Sequence, residues 1–366
     1  MLTATLYNAD LSTPVRIEDL TQRIENLRFS TLLHGGFGEC TFDLICSLGE
    51  VWEWRLKRYF YRLIIREVDT VFWEGRLEDI EFILKGLRVT FLGYWRNLAD
   101  EPYNNTATWS VGGPHTADDI IKAMLTANCP QISADQSNIQ DPGLDLMPQT
   151  FNDDQYPIDL VRLLAEFSDS TQRIWYFAIW ADRIPYFFPR NTATIDWYVW
   201  LPNMHSIRLM ASAKDFWSRI YSVYLSGGTK TRTATATDTE AEAKYIKRVR
   251  AVTGLGEISA AAALSRRDME LDYRKEIQQQ TDALIVTAVY DSNGKSRDLW
   301  RVRAGDVVRI VDLVPASADL DAVSLDALRT FYIVETRYDA ARARLTLVPD
   351  RESRRLAVSV AELLAR

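Results

Sequence analysis

The segment His34-Gly35-Gly36-Phe37-Gly38 contains the residue types that come nearest to a catalytic motif in this sequence. Glycine-rich loops cradle phosphates, and a histidine beside glycines occurs in some oxyanion holes. A phosphate loop, however, ends in Gly-Lys-Ser/Thr and opens a helix, whereas residues 39–44 alternate apolar and polar side chains as a strand does. We therefore interpret the segment as a glycine turn that leads into a strand.

Acidic pairs are the other groups that could do chemistry. Asp118-Asp119 and Asp153-Asp154 could bind calcium or act as acid and base, but both adjoin turn or helix-start signals, so we interpret them as solvated caps. Asp291-Ser292-Asn293-Gly294 lacks the later ligands of a calcium loop and is predicted to be a plain turn. The remaining histidines are His115 and His205. The sequence thus predicts no catalytic residue, no metal site and no cofactor.

The cysteines and the basic pairs have equally plain interpretations. Cys40, Cys46 and Cys129 show no CxxC spacing, so we predict neither a disulfide framework nor a zinc site, but small buried side chains in a reducing cytoplasm. Lys247-Arg248 and Arg266-Arg267 are short pairs, which usually belong to solvated faces.

Tryptophan is abundant, with 11 residues in the chain. Such rings could form a sugar-binding platform. Most of them occupy alternating strand positions, which favours the core or a subunit interface. The residues concerned are Trp52, Trp54, Trp73, Trp95, Trp175, Trp180, Trp197 and Trp200.

Composition excludes several classes of protein. The formal charge of -7 argues against a surface that neutralises nucleic-acid phosphates along a duplex, although a passive acidic channel is compatible with it. No apolar run reaches the roughly 20 residues that span a bilayer, and the first residues lack the pattern of a signal peptide. We therefore expect neither membrane insertion nor secretion by a signal peptide. A chain of 366 residues is expected to contain more than one module.

Hydrophobic patterning divides the chain into five parts. Residues 1–100 read as antiparallel strands, with hairpins at Asp69-Thr70 and Lys85-Gly86, and we expect residues 206–228 to complete this sheet. Residues 101–205 are predicted to be an inserted α+β module with helices from Thr116 and over residues 158–167. Residues 229–283 read as an exposed flexible loop and a long helix, with Leu264 and Leu271 on its apolar stripe.

The last third returns to strands. Residues 284–350 are predicted to hold a second set of strands, and residues 351–366 a tail with a short helix. The hairpin after Val71-Phe72-Trp73 is similar to the one after Thr330-Phe331-Tyr332. An internal repeat is one interpretation of this similarity, and two similar barrels per chain would let a trimer present six around an axis.

In the order of these features the sequence resembles the hub proteins of bacteriophage tails, also called baseplate hub or tail-associated proteins, which are related to the hub of contractile phages. The resemblance covers almost the whole chain and consists of diffuse patterns rather than a catalytic signature. The segments that carry it are LLHGGFGECTFDL, VFWEGRLEDIEFILKGLRVTFLGYWRNL, IDLVRLLAEF, DRIPYFFPR, VRAGDVVRIVDL and TFYIVETRYD.

This resemblance implies a β-rich, multidomain α+β chain with two tube-like antiparallel β-barrels, an inserted α+β module and a long helix. It implies a homotrimer in the virion, made in the host bacterial cytoplasm. The implied partners are a distal tail or tail tube protein, the tape measure protein, tail fibre or tip proteins, and DNA in transient passage. Two alternatives stay open: a distal tail or tail tube protein, and a carbohydrate-binding or carbohydrate-cleaving β-protein.

Overall fold

The computed structural model describes residues 1–103, 116–143, 155–165, 175–190, 194–207, 209–275, 278–281, 283–314 and 329–350. His115, the pair Asp153-Asp154, residues 166–167 of the second predicted helix and the predicted C-terminal helix at 358–364 lie outside the described residues.

The first part of the chain forms seven strands, which pair in the order β2-β1-β5-β6-β7-β4-β3. Both predicted hairpins are confirmed. One helix, α1, follows β4 and was not predicted from the sequence. The elements are β1 (Thr3–Tyr7), β2 (Arg16–Asp19), β3 (Ile24–Leu32), β4 (Gly35–Ile45), α1 (Leu48–Lys57), β5 (Arg62–Glu67), β6 (Thr70–Ile83) and β7 (Gly86–Leu92).

The middle of the chain mixes helices and strands, as predicted. A short 3-10 helix, Tyr94–Ala99, leads out of β7. Its buried side chains pack with the two helices and with the β8–β9 hairpin in a second apolar core. The elements are α2 (Ala117–Asn128), α3 (Pro157–Ala165), β8 (Trp175–Ile179), β9 (Pro185–Pro189), β10 (Trp197–Trp200) and β11 (Met204–Ser206).

Two predictions fail in the next segment. Residues 206–228 do not complete the first sheet, because β13 pairs with β14, β15 and β16. Residues 229–242 are not a plain loop, because threonines that suit strands pair there with β13. The elements are β12 (Leu209–Ser212), β13 (Arg219–Ser226), β14 (Thr229–Arg232), β15 (Ala236–Thr237), α4 (Thr239–Lys244), β16 (Val249–Val252), α5 (Ala260–Arg274) and β17 (Gln278–Thr281).

Helix α5 is the predicted long helix, but it is shorter than expected and its orientation differs from the prediction. Leu264 is exposed, whereas Arg266, Glu270 and Arg274 are buried. The arginines reach burial because they pair with Glu270 at i+4 spacing, and buried charges persist only when they are paired. The prediction of a solvated face at Arg266-Arg267 is therefore wrong.

The strands of the last part pair in one continuous series. β10 and β11 pair with β19 and β18, β18 with β23, β23 with β22, β22 with β21, and β21 with β10. The elements are β18 (Leu284–Val286), β19 (Val289–Tyr290), β20 (Ser296–Arg297), β21 (Val307–Val311), β22 (Thr330–Asp339) and β23 (Arg344–Pro349).

One antiparallel contact joins the first and last strand sets into a single sheet. β22 pairs with β3 from Glu335↔Leu32 to Asp339↔Arg28. On the core side of this seam the hydroxyls of Thr31 and Thr336 are 2.6 Å apart. Apolar side chains of both strand sets contribute to one continuous core. No helix within the described ranges is long and apolar enough to cross a membrane.

Candidate functional site: the joined sheet and its seam

The outer face of the joined sheet carries a groove of about 540 Å³. Strand alternation produces it, since Thr336 points into the core while Glu335, Arg337 and Asp339 face the groove. The side chains of the 3-10 helix after β7 form one wall. The lining residues are Arg28, Phe29, Ser30, Leu32, Gly38, Glu39, Thr41, Leu92, Trp95, Arg96, Glu335, Arg337, Tyr338, Asp339 and Thr346.

Charges of both signs lie in the groove and pair locally. Arg28 lies 3.2 Å from Asp339, and Arg337 lies 2.6 Å from Glu335. Both arginines are more than half exposed along their side chains, at 54% and 62%. Half-exposed ion pairs of this kind are worth little to stability, but they suit recognition of another protein surface.

The glycine segment at the start of β4 serves close packing of the backbone. Gly36 has φ +85°, and a Cβ placed there would lie 2.0 Å from the carbonyl oxygen of Ile179. Only glycine lets β4 approach β8, with which it pairs in parallel through Gly35 and Gly36. The interpretation of a glycine turn leading into a strand is confirmed.

Arg303, from the predicted VRAGD segment, ties the last strand set to the first. Its guanidinium carbon lies 5.9, 5.6 and 5.7 Å from the ring centres of Phe37, Phe72 and Trp180. Its Nη2 donates a hydrogen bond of 2.5 Å to the carbonyl oxygen of Val71. We call this arrangement the Arg303 cage. It brings together β4, β6, the β8–β9 connection and the loop before β21.

Two buried carboxyls, Asp306 and Glu74, belong to the elements that the Arg303 cage joins. Asp306 accepts hydrogen bonds from the Trp197 indole at 2.7 Å and from the Arg303 backbone N–H at 2.8 Å, and burial raises its pKa to about 6. Glu74 on β6 accepts one from the Arg183 backbone N–H at 2.8 Å. Burial raises the pKa of Glu74 to about 7, although Arg62 at 3.9 Å opposes the shift.

Replacing Glu74 by glutamine is expected to remove a pH dependence of stability. The folded chain keeps the Glu74 proton between pH 4.5 and about 7, whereas the unfolded chain has lost it, so the free energy of unfolding falls as pH rises through this window. Because one pKa unit is worth about 1.4 kcal/mol, the rise from 4.5 to about 7 should make Glu74→Gln about 3 kcal/mol more stable than the parent at pH 8 and bring the two within about 1 kcal/mol at pH 5. Urea denaturation at both pH values measures this difference.

Glu81→Gln is the matched control, because Glu81 lies on the same strand and is exposed. Its unfolding curve should follow that of the parent chain at both pH values. Equal pH dependence in the parent and in Glu74→Gln would show that Glu74 is not protonated in the fold.

His34, His205 and the cysteines do not assemble into a site in the part of the chain that the structure describes. His34 packs against Tyr176 with ring centres 4.8 Å apart, and burial, followed by the nearby Arg162 charge, lowers its pKa to about 4. His205 lies elsewhere, with its Nε2 2.6 Å from Arg344. All three cysteines are free thiols, and burial raises the pKa of each. Within the described ranges no group of three or more His, Cys, Asp or Glu side chains is placed to hold a metal ion.

Two of the acidic candidates, Asp118 and Asp291, have structural roles. Asp291 accepts hydrogen bonds from the backbone of Asn293 and Lys295, each at 3.0 Å, which confirms a plain turn. Asp118 lies at the start of α2 but is buried, with its carboxylate 2.7 Å from Lys122, so its interpretation as a solvated cap is wrong. Thr116 is the N-cap residue, yet its hydroxyl donates to Asp118 instead of accepting from the helix.

The tryptophans divide between core and surface. Trp54, Trp73, Trp95 and Trp175 are buried. The prediction that most of the eight occupy alternating strand positions is wrong, because Trp52 and Trp54 lie on α1, Trp95 lies in the 3-10 helix after β7 and Trp180 follows β8. Trp180 and Trp197 are half-buried beside the Arg303 cage and Asp306. The exposed members, Trp52 on α1 and Trp200 on β10, lie on different elements.

Sequence reasoning missed helix α1, the Arg303 cage and the buried Glu74. A signal for α1 was present, because Ser47 and Glu50 form a capping box, the Ser-x-x-Glu pattern that starts helices. No local signal could reveal the cage, since Arg303 contacts residues more than 100 positions away along the chain.

Comparison with known proteins identifies the fold. No protein-family model matches the sequence, and no curated protein matches it. The tail protein from Neisseria meningitidis MC58 has a TM-score of 0.62 at 12% identity, covering 95% of this chain and 96% of that one. The 43 kDa tail protein of prophage MuSo2 from Shewanella oneidensis has a TM-score of 0.60 at 12% identity, covering 94% and 97%. Prophage tail protein gp18 from Listeria monocytogenes has a TM-score of 0.58 at 14% identity, covering 99% and 98%. The chain therefore has the fold of bacteriophage tail proteins.

Proposed function

We propose that this chain is the structural hub of a phage tail tip or baseplate. The observation that carries the proposal is the shared fold with three tail proteins over almost the full length of both partners in each comparison. As hub, the chain joins the tail tube or distal tail ring to distal tip components, and the assembly forms a channel for the tape measure protein and DNA.

The two strand sets are proposed to act as two tube-like barrels. The two end pairs of the series in the last part, β11–β18 and β10–β19, involve strands that follow each other along the chain, which supports a closed arrangement there. The β3–β22 seam supports their action as one unit, because it fixes the two sets side by side in a continuous sheet. Three chains would then present six similar lobes around an axis.

The partners proposed for this hub are a distal tail or tail tube protein, the tape measure protein and tail fibre or tip proteins. The mixed charges of the groove support contact with protein, and the net charge of -7 supports a channel that does not retain DNA. We further propose that the chain is not an enzyme. The two carboxyls of raised pKa support this, since Glu74 and Asp306 are buried and hydrogen-bonded within the fold.

The solution mass of the purified chain tests the proposed hub. One chain weighs 42.0 kDa, and light scattering is expected to give three times this mass. A single-chain mass at all concentrations would contradict the homotrimer and favour the carbohydrate-active alternative.

A further inference from the structure

Helix α5 packs on the β13–β16 sheet through charged side chains rather than through an apolar stripe. Arg266, Glu270 and Arg274 follow one another at i+4 spacing on the buried face of the helix. The backbone N–H of Trp217, just before β13, donates to the carbonyl oxygen of Arg274 at 3.0 Å. The end of α5 therefore lies beside the start of β13, and Glu270, one turn earlier in the helix, lies over the strand itself.

A third guanidinium group comes to this interface from β16. This strand pairs in parallel with β13, and Arg250 is the partner of Ile220. Paired residues of neighbouring strands project from the same face of a sheet, and Ile220 is fully buried, so Arg250 projects from the face of β13 that is covered. Burial, followed by the charge of Arg274, lowers the pKa of Arg250, which places its guanidinium group near the charges of α5.

The cluster holds more cationic than anionic groups. Oε1 of Glu270 lies 3.1 Å from Arg266 and Oε2 lies 2.5 Å from Arg274, so both oxygens of this carboxylate are engaged. Asp215 supplies the second carboxylate, at 3.7 Å from Arg274. Arg250 makes no hydrogen bond or ion pair with any residue that the structure describes. Among the described residues, three guanidinium groups thus face two carboxylates, which leaves an excess of positive charge.

A buried hydroxyl without a hydrogen-bond partner lies at the same interface. Ser222 is the partner of Val252, two residues beyond the pair of Ile220 with Arg250, and it is fully buried. Its backbone N–H donates to Oγ1 of Thr233 at 2.9 Å, but its own Oγ has no partner among the described residues. Leaving a buried hydroxyl unsatisfied is costly, so such a group calls for a water or an ion.

We propose that the space between helix α5 and strands β13 and β16 binds a free phosphate or sulfate ion. Arg250 supplies a planar set of N–H donors, which matches the geometry of oxyanions. The hydroxyl of Ser222 donates from the sheet, and Arg266 and Arg274 add positive charge from the helix. Arg250 is half-buried, so the ion enters from its side of the interface. The inference is independent of the proposed hub function.

Burial favours a small free ion over a nucleic acid or a partner protein. Ser222 is 0% exposed and Glu270 6%, so the inner part of the space is closed to a phosphodiester, which carries a nucleoside on either side. Donors and charges approach from one helix and two strands, and this arrangement suits a tetrahedral ion better than a planar carboxylate. A bound ion of this kind would hold α5 on the sheet.

Isothermal titration calorimetry tests the site, with sodium phosphate added to the whole chain in Tris-chloride buffer at constant ionic strength. The parent chain is expected to bind one ion. Arg250→Gln should weaken binding at least tenfold and Ser222→Ala about tenfold, because each removes a hydrogen bond to a charged group. Arg232→Gln is the matched control, since Arg232 lies over the ring of Tyr221 on the opposite face of the same sheet. It should bind phosphate as the parent does.

Melting experiments separate an ion site from a purely structural role. Arg250→Gln loses no partner and removes a positive charge near Arg274, so without phosphate it should melt at the parent temperature or above it. Phosphate at about ten times its dissociation constant should raise the Tm of the parent by roughly 3 °C and leave that of Arg250→Gln unchanged.

Three results would overturn the inference. The first is a parent chain that shows neither binding heat nor a rise in Tm with phosphate. The second is phosphate binding by Arg250→Gln and Ser222→Ala that equals binding by the parent. The third is displacement of phosphate by a DNA oligonucleotide, which would assign the cluster to nucleic acid instead of a free ion.

Discussion

Arg303→Ala is expected to lower the free energy of unfolding by about 3 kcal/mol, among the largest effects of any single substitution in this chain. The change removes cation–π contacts with Phe37, Phe72 and Trp180, each worth up to about 2 kcal/mol when desolvated. It also removes a charged hydrogen bond to Val71 and leaves a cavity at the junction of the two strand sets. Urea denaturation at pH 7 measures the loss.

Two comparisons make this result specific. Arg303→Lys keeps the positive charge but not the planar guanidinium group, so it should recover about half of the lost free energy of unfolding. Arg301→Ala removes a neighbouring, half-exposed arginine that pairs with Glu67, and it should cost below about 1 kcal/mol. If Arg303→Ala were no more harmful than Arg301→Ala, the Arg303 cage would not join the two strand sets.

Glu270→Gln is expected to destabilise helix α5 by about 3 kcal/mol. Glu270 bridges Arg266 at 3.1 Å and Arg274 at 2.5 Å, and all three side chains are buried. Removing its charge takes a carboxylate away from two buried guanidinium groups, although Asp215 at 3.7 Å still faces Arg274. Breaking a buried ion pair typically costs about 3–5 kcal/mol. Hydrogen exchange of the Ala260–Arg274 amides reports the local opening free energy directly.

Glu270 is also expected to make the stability of helix α5 depend on pH. Burial raises the pKa of Glu270, but Arg266 and Arg274 outweigh it and hold the pKa below 4.5. The stabilisation is therefore present above pH 4.5 and is lost as pH falls through the folded-state pKa, and Glu270→Gln should lack this loss. Asp272→Asn, an exposed charge on the same helix, is the control and should leave exchange nearly unchanged. Equal protection in Glu270→Gln and Asp272→Asn would contradict the buried network.

Local hydrophobic periodicity was sufficient to predict where strands lie along the chain, but not to predict which strands pair with each other. The alternation around Leu87, Val89 and Phe91 predicted β7 and its hairpin, because one face of that strand is buried. The pairing of β3 with β22 joins residues about 300 positions apart, and no local pattern encodes such a contact. For the same reason β13 was assigned to the first sheet, although it pairs with strands that follow it.

Helix faces were the weaker part of the sequence analysis. Leu264 and Leu271 suggested an apolar stripe on α5, yet its buried face holds Arg266, Glu270 and Arg274, since mutual pairing compensates their burial. Hydrophobic patterning assumes that charged side chains face the solvent, and helix α5 is an exception. The converse occurs on α1, where apolar residues are exposed.

Averaged electron images of the purified particle test the central proposal most directly. The account predicts a threefold particle with a central opening and six similar lobes, because each chain carries two joined strand sets. A compact single-chain particle with a deep acidic cleft would contradict it and favour the carbohydrate-active alternative.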